Sequence, residues 1–216
     1  MSRKSSSRKV VAAILAAGAS SRFGSPKQLA RIGDKTLIET ALVTLIQSDV
    51  NDICVVLGCA FDAIYKHLET HMKSAADEFT VLNNPNWEKG LSSSIRTATE
   101  YAITCEATDL LLMVCDQPYV TSELINKLLA TSECTYIQSN STSMPEQASN
   151  SIIACEYGNS VGIPAIFPQN YFTQLLALQG DKGAKSVILA STDPIYVAFA
   201  KGNVDIDRPS DLEFKI

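Results

Sequence analysis

Short apolar runs alternate along the chain with longer segments whose apolar residues recur at helical spacing. The runs Val10–Leu15, Asp52–Leu57 and Asp109–Cys115 are almost continuously apolar, which is typical of strands buried on both faces. The segment Thr36–Ser48 repeats apolar residues at intervals of three and four, and predicts a helix. This alternation predicts βαβ units, and therefore a three-layer α/β/α fold of Rossmann-like character around a mostly parallel sheet.

The other predicted elements continue this alternation. Further strands are predicted at Phe79–Leu82, Ser151–Cys155, Ala165–Phe167, Ile195–Phe199 and Asn203–Ile206, and further helices at Phe61–His71, Leu91–Ile103, Ser122–Thr131 (capped by Thr121), Tyr171–Leu178 and Ala184–Ala190. Residues 139–150 are polar without a period, and they predict a surface loop long enough for a lid or an insertion. We expect one domain over residues 9–216, preceded by a disordered basic tail at residues 1–8.

Charge is distributed unevenly. The net charge is −5, yet residues 1–35 contain eight Lys and Arg residues and one acid, Asp34. Because the rest of the chain has too few basic residues to cover a face, a nucleic-acid partner is not expected. No apolar run reaches the roughly 18 residues that a membrane span needs, so a membrane partner is not expected either.

The cysteines and the N-terminus both bear on localisation. Cys54, Cys115 and Cys155 lie in apolar strand-like runs, and none of the six cysteines forms a Cys-x-x-Cys pair. This favours reduced thiols and a cytoplasmic protein. The alternative is a secretory signal, since basic residues precede the apolar run at 10–17. Cleavage there would remove the first predicted strand.

The loop after the first strand carries the strongest candidate chemistry. Small residues from Ala16 to Ser21 let backbone N–H groups approach an anion, and Arg22 and Lys27 add two cations. The spacing excludes a Walker A loop, because Gly24 comes one position late and Ser25 follows it. It also excludes the dinucleotide fingerprint, because Ser20 replaces a required glycine. The sequence therefore predicts a site for a triphosphate.

Acidic residues follow two predicted strands. Asp116 comes directly after the apolar strand 109–115, where a carboxylate faces the ligand crevice of a parallel sheet and suits Mg²⁺. The alternative is a turn-forming or capping role. Asp205 and Asp207 are predicted on one face of the last strand, where Asp205 is the favoured second metal ligand. Asp207 could instead cap a helix that starts at Pro209.

Three further motifs are less specific. Gly90 and the serines up to Ser94 open a predicted helix, where they could contact a base or simply cap the helix. The motifs at 162–164 and 180–185 could shape an acceptor pocket. His67 and His71 have the i, i+4 spacing of a zinc site. Because Glu69 faces away from both, we predict a solvated helix face instead.

Taken in order, these motifs resemble the molybdenum cofactor cytidylyltransferase family of the nucleotidyltransferase superfamily, which also contains molybdopterin-guanine dinucleotide synthases. The resemblance covers residues 10–213. It rests on Leu15-Ala-Ala-Gly-x-Ser-x-Arg-Phe-Gly-x-x-Lys27-Gln28, Asn86-Trp-x-x-Gly-Leu-Ser-Ser-Ser, Cys115-Asp-Gln-Pro118, Gly162-x-Pro164, Gly180-Asp-Lys-Gly-Ala and Asp205-Ile-Asp-x-Pro. Two positions depart from the family pattern: Ile163 replaces a histidine and Lys185 replaces an arginine.

The resemblance implies Mg²⁺-dependent transfer of a nucleotidyl group from an NTP, with CTP favoured, to a phosphorylated acceptor, with pyrophosphate released. The acceptor it implies is a molybdopterin-type cofactor. It implies nucleotide binding by Leu15, Ala16, Ala17, Gly18, Arg22, Lys27, Gly90 and Ser94, catalysis by Arg22, Lys27 and Asp116, and metal binding by Asp116 and Asp205. A sugar or polyol phosphate acceptor is one alternative. Another is a non-catalytic chaperone of the molybdenum cofactor, in transient contact with a molybdoenzyme.

Overall fold

The computed structural model describes residues 8–141 and 150–212. Its strands are Val10–Ala16 (β1), Arg31–Ile32 (β2), Lys35–Thr36 (β3), Asp52–Leu57 (β4), Thr80–Asn83 (β5), Asp109–Val114 (β6), Ile153–Tyr157 (β7), Ser160–Pro168 (β8) and Ile195–Ala198 (β9). Seven of them form one sheet in the order β5-β4-β1-β6-β8-β7-β9. Strand β8 runs antiparallel to both of its neighbours, and the other pairs in this sheet are parallel. The predicted mostly parallel sheet is confirmed.

Helices cover both faces of the sheet. They are Leu37–Ile46 (α1), Phe61–His71 (α2), Leu91–Thr104 (α3), Ser122–Ser141 (α4), Phe172–Leu176 (α5) and Lys185–Ala190 (α6). Apolar residues of α1, α2 and α4 pack with one side of β1, including Ile14, and those of α3, α5 and α6 pack with the other, including Leu15. Since β1 is buried on both faces, it lies at the centre of a three-layer α/β/α fold, as predicted.

Helix α1 shows how local sequence fixes an element next to the candidate loop. Thr36 is its N-cap: the Thr36 hydroxyl accepts from the Glu39 backbone N–H, and the Glu39 carboxylate accepts from the Thr36 backbone N–H. This reciprocal capping box satisfies two N–H groups at the start of the helix. A backbone bond of 2.9 Å from Leu37 N to Ala30 O joins the helix to the segment that carries Lys27.

Two predictions differ from the structure, and one hairpin was not predicted. Helix α4 continues ten residues beyond Thr131, so residues 139–141 of the predicted loop are helical, and 142–149 lie outside the described residues. The predicted strand Asn203–Ile206 is wrong. Among the described residues that segment pairs with no strand, and a bond of 2.9 Å from Ile206 N to Asp116 O holds it to the loop after β6. The hairpin of β2 and β3 was not predicted.

The first described residues lie against the amino end of β6. Arg8, assigned to the solvated tail, forms an ion pair with Asp109, and its side chain is only 12% exposed. Residues 1–7 of the predicted tail lie outside the described residues. All six cysteines are free thiols. Within the part of the chain that the structure describes, no helix is both long and apolar enough to cross a membrane.

Candidate active site

The candidate site lies at the carboxyl edge of three neighbouring parallel strands, β4, β1 and β6. The loop after β1 begins at Ala17, and Asp116 comes two residues after the end of β6. Parallel strands place their carboxyl ends at one edge, and open α/β sheets bind ligands there. The topology therefore brings the two strongest sequence motifs together.

The loop after β1 is shaped by its own backbone and by one buried side chain. Ser20 (φ 52°) and Gly24 (φ 78°) adopt the left-handed region, and the N–H groups of Phe23 and Gly24 donate to Ser20 O. The Gln28 side chain, 2% exposed as a residue, donates from Nε2 to Ala16 O at 2.8 Å and to Gly18 O at 3.1 Å. These bonds fix the carbonyl oxygens of Ala16, at the end of β1, and of Gly18, in the loop.

Four charged residues form a continuous network beside this loop. Lys27 Nζ lies 2.5 Å from Asp116 Oδ2 and 3.1 Å from Asp207 Oδ1. Arg22 Nη1 lies 2.9 Å from Asp207 Oδ2. The network thus connects Arg22 to Asp116, and it places all three predicted catalytic residues on the same side of the molecule.

The network perturbs two ionisable groups. Burial of Lys27 favours its neutral form, but the carboxylates of Asp116 and Asp207 outweigh that effect and raise the lysine pKa above 10.5. The pKa of Asp205 is raised above 3.8, first by desolvation of its carboxyl group and then by the negative charge of Asp116. Lys27 is therefore a cation at neutral pH, whereas burial and the charge of Asp116 both oppose ionisation of Asp205.

The carboxylate of Asp116 fits a cation ligand. Its Oδ2 accepts from Lys27, whereas its Oδ1 is buried and has no hydrogen-bond partner in the structure. A buried oxygen without a partner is costly and rare. The negative charge of Asp116 raises the pKa of Asp205, and Asp207 shares the ammonium group of Lys27 with Asp116. Oxygen ligands of this kind suit Mg²⁺.

A cleft of about 480 Å³ opens beside the network. Most of the predicted nucleotide-binding residues line it: Leu15, Ala16, Ala17, Gly18, Lys27, Gly90 and Ser94, together with Asp116. Its volume falls in the range of small-molecule sites, roughly 300–1,000 Å³. Arg22 and Asp205 are not among the residues that line this cleft, and the Arg22 side chain is 70% exposed at its rim.

The opposite wall is the start of helix α3. Gly90 is the N-cap with φ 95°, and a Cβ there would lie 2.5 Å from the carbonyl oxygen of Gly180. Asn84 Nδ2 donates to the hydroxyls of Ser93 at 2.8 Å and Ser94 at 3.1 Å. The serine hydroxyls do not cap this helix, because Asn84 and the backbone engage them. Of the residues from Gly90 to Ser94, Gly90, Leu91 and Ser94 line the cleft, whereas Ser92 and Ser93 do not.

The two proposed acceptor motifs lie at different places. Residues 162–164 belong to β8, beyond its last pairing with β6 at Ala165, and thus lie towards the carboxyl edge of β6. The loop at Gly180 and Asp181 contacts Gly90 instead, and Asp181 lines the cleft. Lys185 Nζ donates to Ser160 Oγ at 2.6 Å, which places it at the start of β8.

The site includes residues that were given no role, or a different role, from the sequence. Asp205 and Asp207 do not share a strand face, because residues 203–207 form no strand. Asp207, considered as a helix cap, instead binds Arg22 and Lys27, while Asp211 accepts from Asp207 N and Arg208 N. Trp87 also lines the cleft. The motif residues Trp87 and Gln28 were visible in the sequence, but their contacts were not.

The fold and the cleft define a class of α/β protein that binds its ligand beyond the carboxyl ends of parallel strands. Residues 12–195 match the family model described as the MobA-like NTP transferase domain. Because that match covers most of the chain, the protein belongs to this family. The expected nucleotidyltransferase superfamily is thereby confirmed.

Two curated relatives each match about half of this chain. The chain is 30% identical over 121 residues to a "Probable molybdenum cofactor guanylyltransferase" of Geobacillus sp. (strain WCH70), with 56% of each protein covered. It is 27% identical over 121 residues to "Nicotine blue oxidoreductase" of Paenarthrobacter nicotinovorans, with 56% of this chain and 55% of that protein covered. The chain thus spans little more than half the length of these relatives.

Solved structures cover nearly the whole chain. The crystal structure of Rv0371c from Mycobacterium tuberculosis H37Rv is 25% identical, has a TM-score of 0.74, and matches over 95% of this chain and 96% of that one. A structure of the same mycobacterial protein in complex with manganese is 23% identical with a TM-score of 0.70, over 96% of this chain and 97% of that one. These matches confirm the fold.

Proposed function

We propose that this protein is a Mg²⁺-dependent nucleotidyltransferase that transfers an NMP group from an NTP to a phosphorylated acceptor of the molybdopterin type. One observation carries this proposal: Lys27, Asp116 and Asp207 meet at the mouth of a cleft whose floor is the small-residue loop after β1. The family membership supports the reaction class. The manganese complex of a relative with the same fold supports a divalent cation.

In this reaction an oxygen of the acceptor phosphate attacks the α-phosphorus of the NTP. The bond between that phosphorus and the pyrophosphate oxygen breaks, and pyrophosphate leaves. Backbone N–H groups of Ala17 and Gly18 are proposed to bind the phosphates, while Lys27 and Arg22 neutralise the charge that develops on pyrophosphate. With no covalent enzyme intermediate, orientation and electrostatic stabilisation account for the rate.

The acids near Lys27 are proposed to hold the cation. Asp116, with its unpartnered Oδ1, is the first ligand, and Asp205 and Asp207 complete the acidic side. A bound Mg²⁺ would supply charge neutralisation at the phosphates. Lys27 then exchanges part of its contact with the carboxylates for contact with phosphate. Its raised pKa keeps it charged throughout.

The base and the acceptor are finer parts of the proposal. The sequence motifs favour CTP, whereas the Geobacillus relative is named for guanylyl transfer. The departures at Ile163 and Lys185 lie at or near β8, on the side where we propose that the acceptor binds. The free thiols support a cytoplasmic location. Nucleic acid and membranes are not proposed partners.

Trp87 provides a direct test, because it is the single tryptophan of the chain and lines the cleft. We expect CTP with Mg²⁺ to change its fluorescence, and a larger effect for CTP than for GTP. Pyrophosphate release should then require molybdopterin and fail with sugar phosphates. Pyrophosphate release with a sugar phosphate, but not with molybdopterin, would show that the acceptor is a sugar phosphate instead. Cofactor binding without any pyrophosphate would favour the chaperone. No response to any NTP would overturn the proposal.

A further inference from the structure

A second cluster of ionisable side chains lies away from the cleft, between helices α1 and α2. Its members are Glu39 of α1 and His67 and His71 of α2, and their ligand atoms all lie within 4.8 Å of one another. The nitrogen His67 Nε2 is 3.2 Å from Glu39 Oε1. The prediction of a solvated helix face is therefore wrong for His67, whose side chain is only 16% exposed.

Glu39 is held as a carboxylate with a fixed orientation. Its Oε2 accepts from the Thr36 backbone N–H at 2.6 Å and from the Thr36 hydroxyl at 2.9 Å, which leaves Oε1 directed to the histidines. Burial alone would raise the pKa of this carboxyl group. The bonds from Thr36 and the two nearby imidazoles outweigh burial, so the pKa is lowered below 4.5.

The histidines are one helical turn apart and their rings stack, with centroids 4.1 Å apart and planes 23° apart. His71 Nδ1 lies 3.0 Å from the His67 carbonyl oxygen. If Nδ1 carries the proton, it donates to that carbonyl and leaves the lone pair of Nε2 free. Metal-binding histidines characteristically donate the other ring N–H in this way, and their carboxylate partners are hydrogen-bonded in turn.

We propose that Glu39, His67 and His71 bind a divalent transition-metal ion of the Zn²⁺ type. Two imidazoles and one carboxylate form a common zinc ligand set, with a fourth position for water. Tetrahedral zinc with bonds of about 2.1 Å needs ligand atoms roughly 3.4 Å apart. A cluster within 4.8 Å reaches that spacing by small side-chain rotations. His71, which is exposed, leaves the fourth position open to solvent.

This site is separate from the proposed Mg²⁺ site, both in residues and in chemistry. Imidazole nitrogen favours zinc, copper or nickel over magnesium, whereas the acids around Lys27 offer only oxygen. The ion would join α1 to α2. Because Glu39 lies in the first turn of α1, ion binding would stabilise the start of this helix by mass action. That start is hydrogen-bonded through Leu37 N to Ala30 O, close in sequence to Lys27.

The chain has only two histidines, and both belong to this cluster, so their imidazole NMR signals report on it alone. The protein is titrated with ZnCl₂ in excess Mg²⁺, which occupies the oxygen ligands elsewhere. We expect both imidazole signals to shift together and to saturate at one equivalent of zinc. Thiol sites such as Cys134 would leave the imidazoles unmoved. Unchanged imidazole signals would overturn the proposal.

Variants separate ligation from chance binding. His71→Ala should weaken zinc binding at least tenfold, as read from the remaining His67 signal, because one ligand is lost. Glu39→Gln should do the same, with circular dichroism confirming that α1 still forms. The matched control is Glu69→Gln on α2, the helix of the two histidines, which should leave the affinity unchanged. Equal zinc affinity in His71→Ala and in the unaltered protein would contradict the assignment.

Discussion

Strand β6 has an aspartate at each end, and the two have opposite surroundings. Asp109 begins the strand, and its carboxylate accepts from Arg8 Nε at 2.9 Å, from a second Arg8 nitrogen, and from the Thr108 hydroxyl at 2.7 Å. Asp116 follows the other end, where one oxygen binds Lys27 and the other has no partner in the structure. A fully bonded buried acid stabilises a fold. A buried acid with an unpartnered oxygen costs stability, which points to a ligand.

The largest expected effect separates these two acids by activity. Asp116→Ala should lower kcat/KM by about 10²–10³, the usual cost of losing one electrostatic contact to the transition state. The melting temperature should change little, because Lys27 keeps Asp207 and a costly unpartnered oxygen is removed. Steady-state pyrophosphate release and thermal unfolding measure the two outcomes. Unaltered turnover in this variant would contradict the proposed role.

Asp109, at the other end of β6, should affect stability rather than activity. Asp109→Asn should lower the free energy of unfolding by about 3 kcal/mol, because it removes the carboxylate charge that the largely buried Arg8 guanidinium contacts. Turnover per folded molecule should stay the same. Urea denaturation measures the first quantity. The double variant Arg8→Met/Asp109→Leu should lose less stability than Asp109→Asn, because it removes both charges. An equal or larger loss would argue that loss of the compensating charge is not the cause.

A smaller effect is expected at Asp205. Its folded pKa is raised above 3.8, so the folded state holds the proton more tightly than the unfolded state. The carboxyl group therefore contributes stability below pH 3.8 and loses it as the pH rises through the folded value. Asp205→Asn should raise the free energy of unfolding at neutral pH by less than about 1 kcal/mol.

Denaturation across pH tests that sign. The gain from Asp205→Asn should disappear in acid, where the native carboxyl group is already neutral. Asp34→Asn is the matched control, since the Asp34 side chain is 89% exposed and its ion pair with Lys35 spans 3.7 Å. A gain that persists in acid would show that charge repulsion is not its origin.

Local pattern predicted the parallel part of the fold well. Strands β1 and β4 and helix α2 start where the sequence placed them, because their apolar periodicity is set by burial within one βα unit. The last segment was predicted poorly. Residues 203–206 alternate like a strand, yet they are held by a tertiary contact to Asp116 rather than by a neighbouring strand. Such a placement depends on the finished sheet.

The same contrast holds for the site. Arg22, Lys27 and Asp116 were predicted as site residues because each lies in a motif beside a recognisable strand. Asp207 was undervalued, since its partners lie about 180 residues earlier in the chain. Glu39 was missed as a neighbour of His67 for the same reason: the two are 28 positions apart and on different helices. The sequence pattern indicates which faces of an element are buried, but not which polar side chains contact each other.

The Gln28 side chain has a consequence for how a nucleotide would bind. Its amide binds the carbonyl oxygens of Ala16 and Gly18 at the start of the loop after β1. A phosphate group would meet a receptor that is already rigid and would lose little affinity to immobilising the backbone. The entropy lost in ordering this part of the loop would thus be lost on folding rather than each time a phosphate group binds.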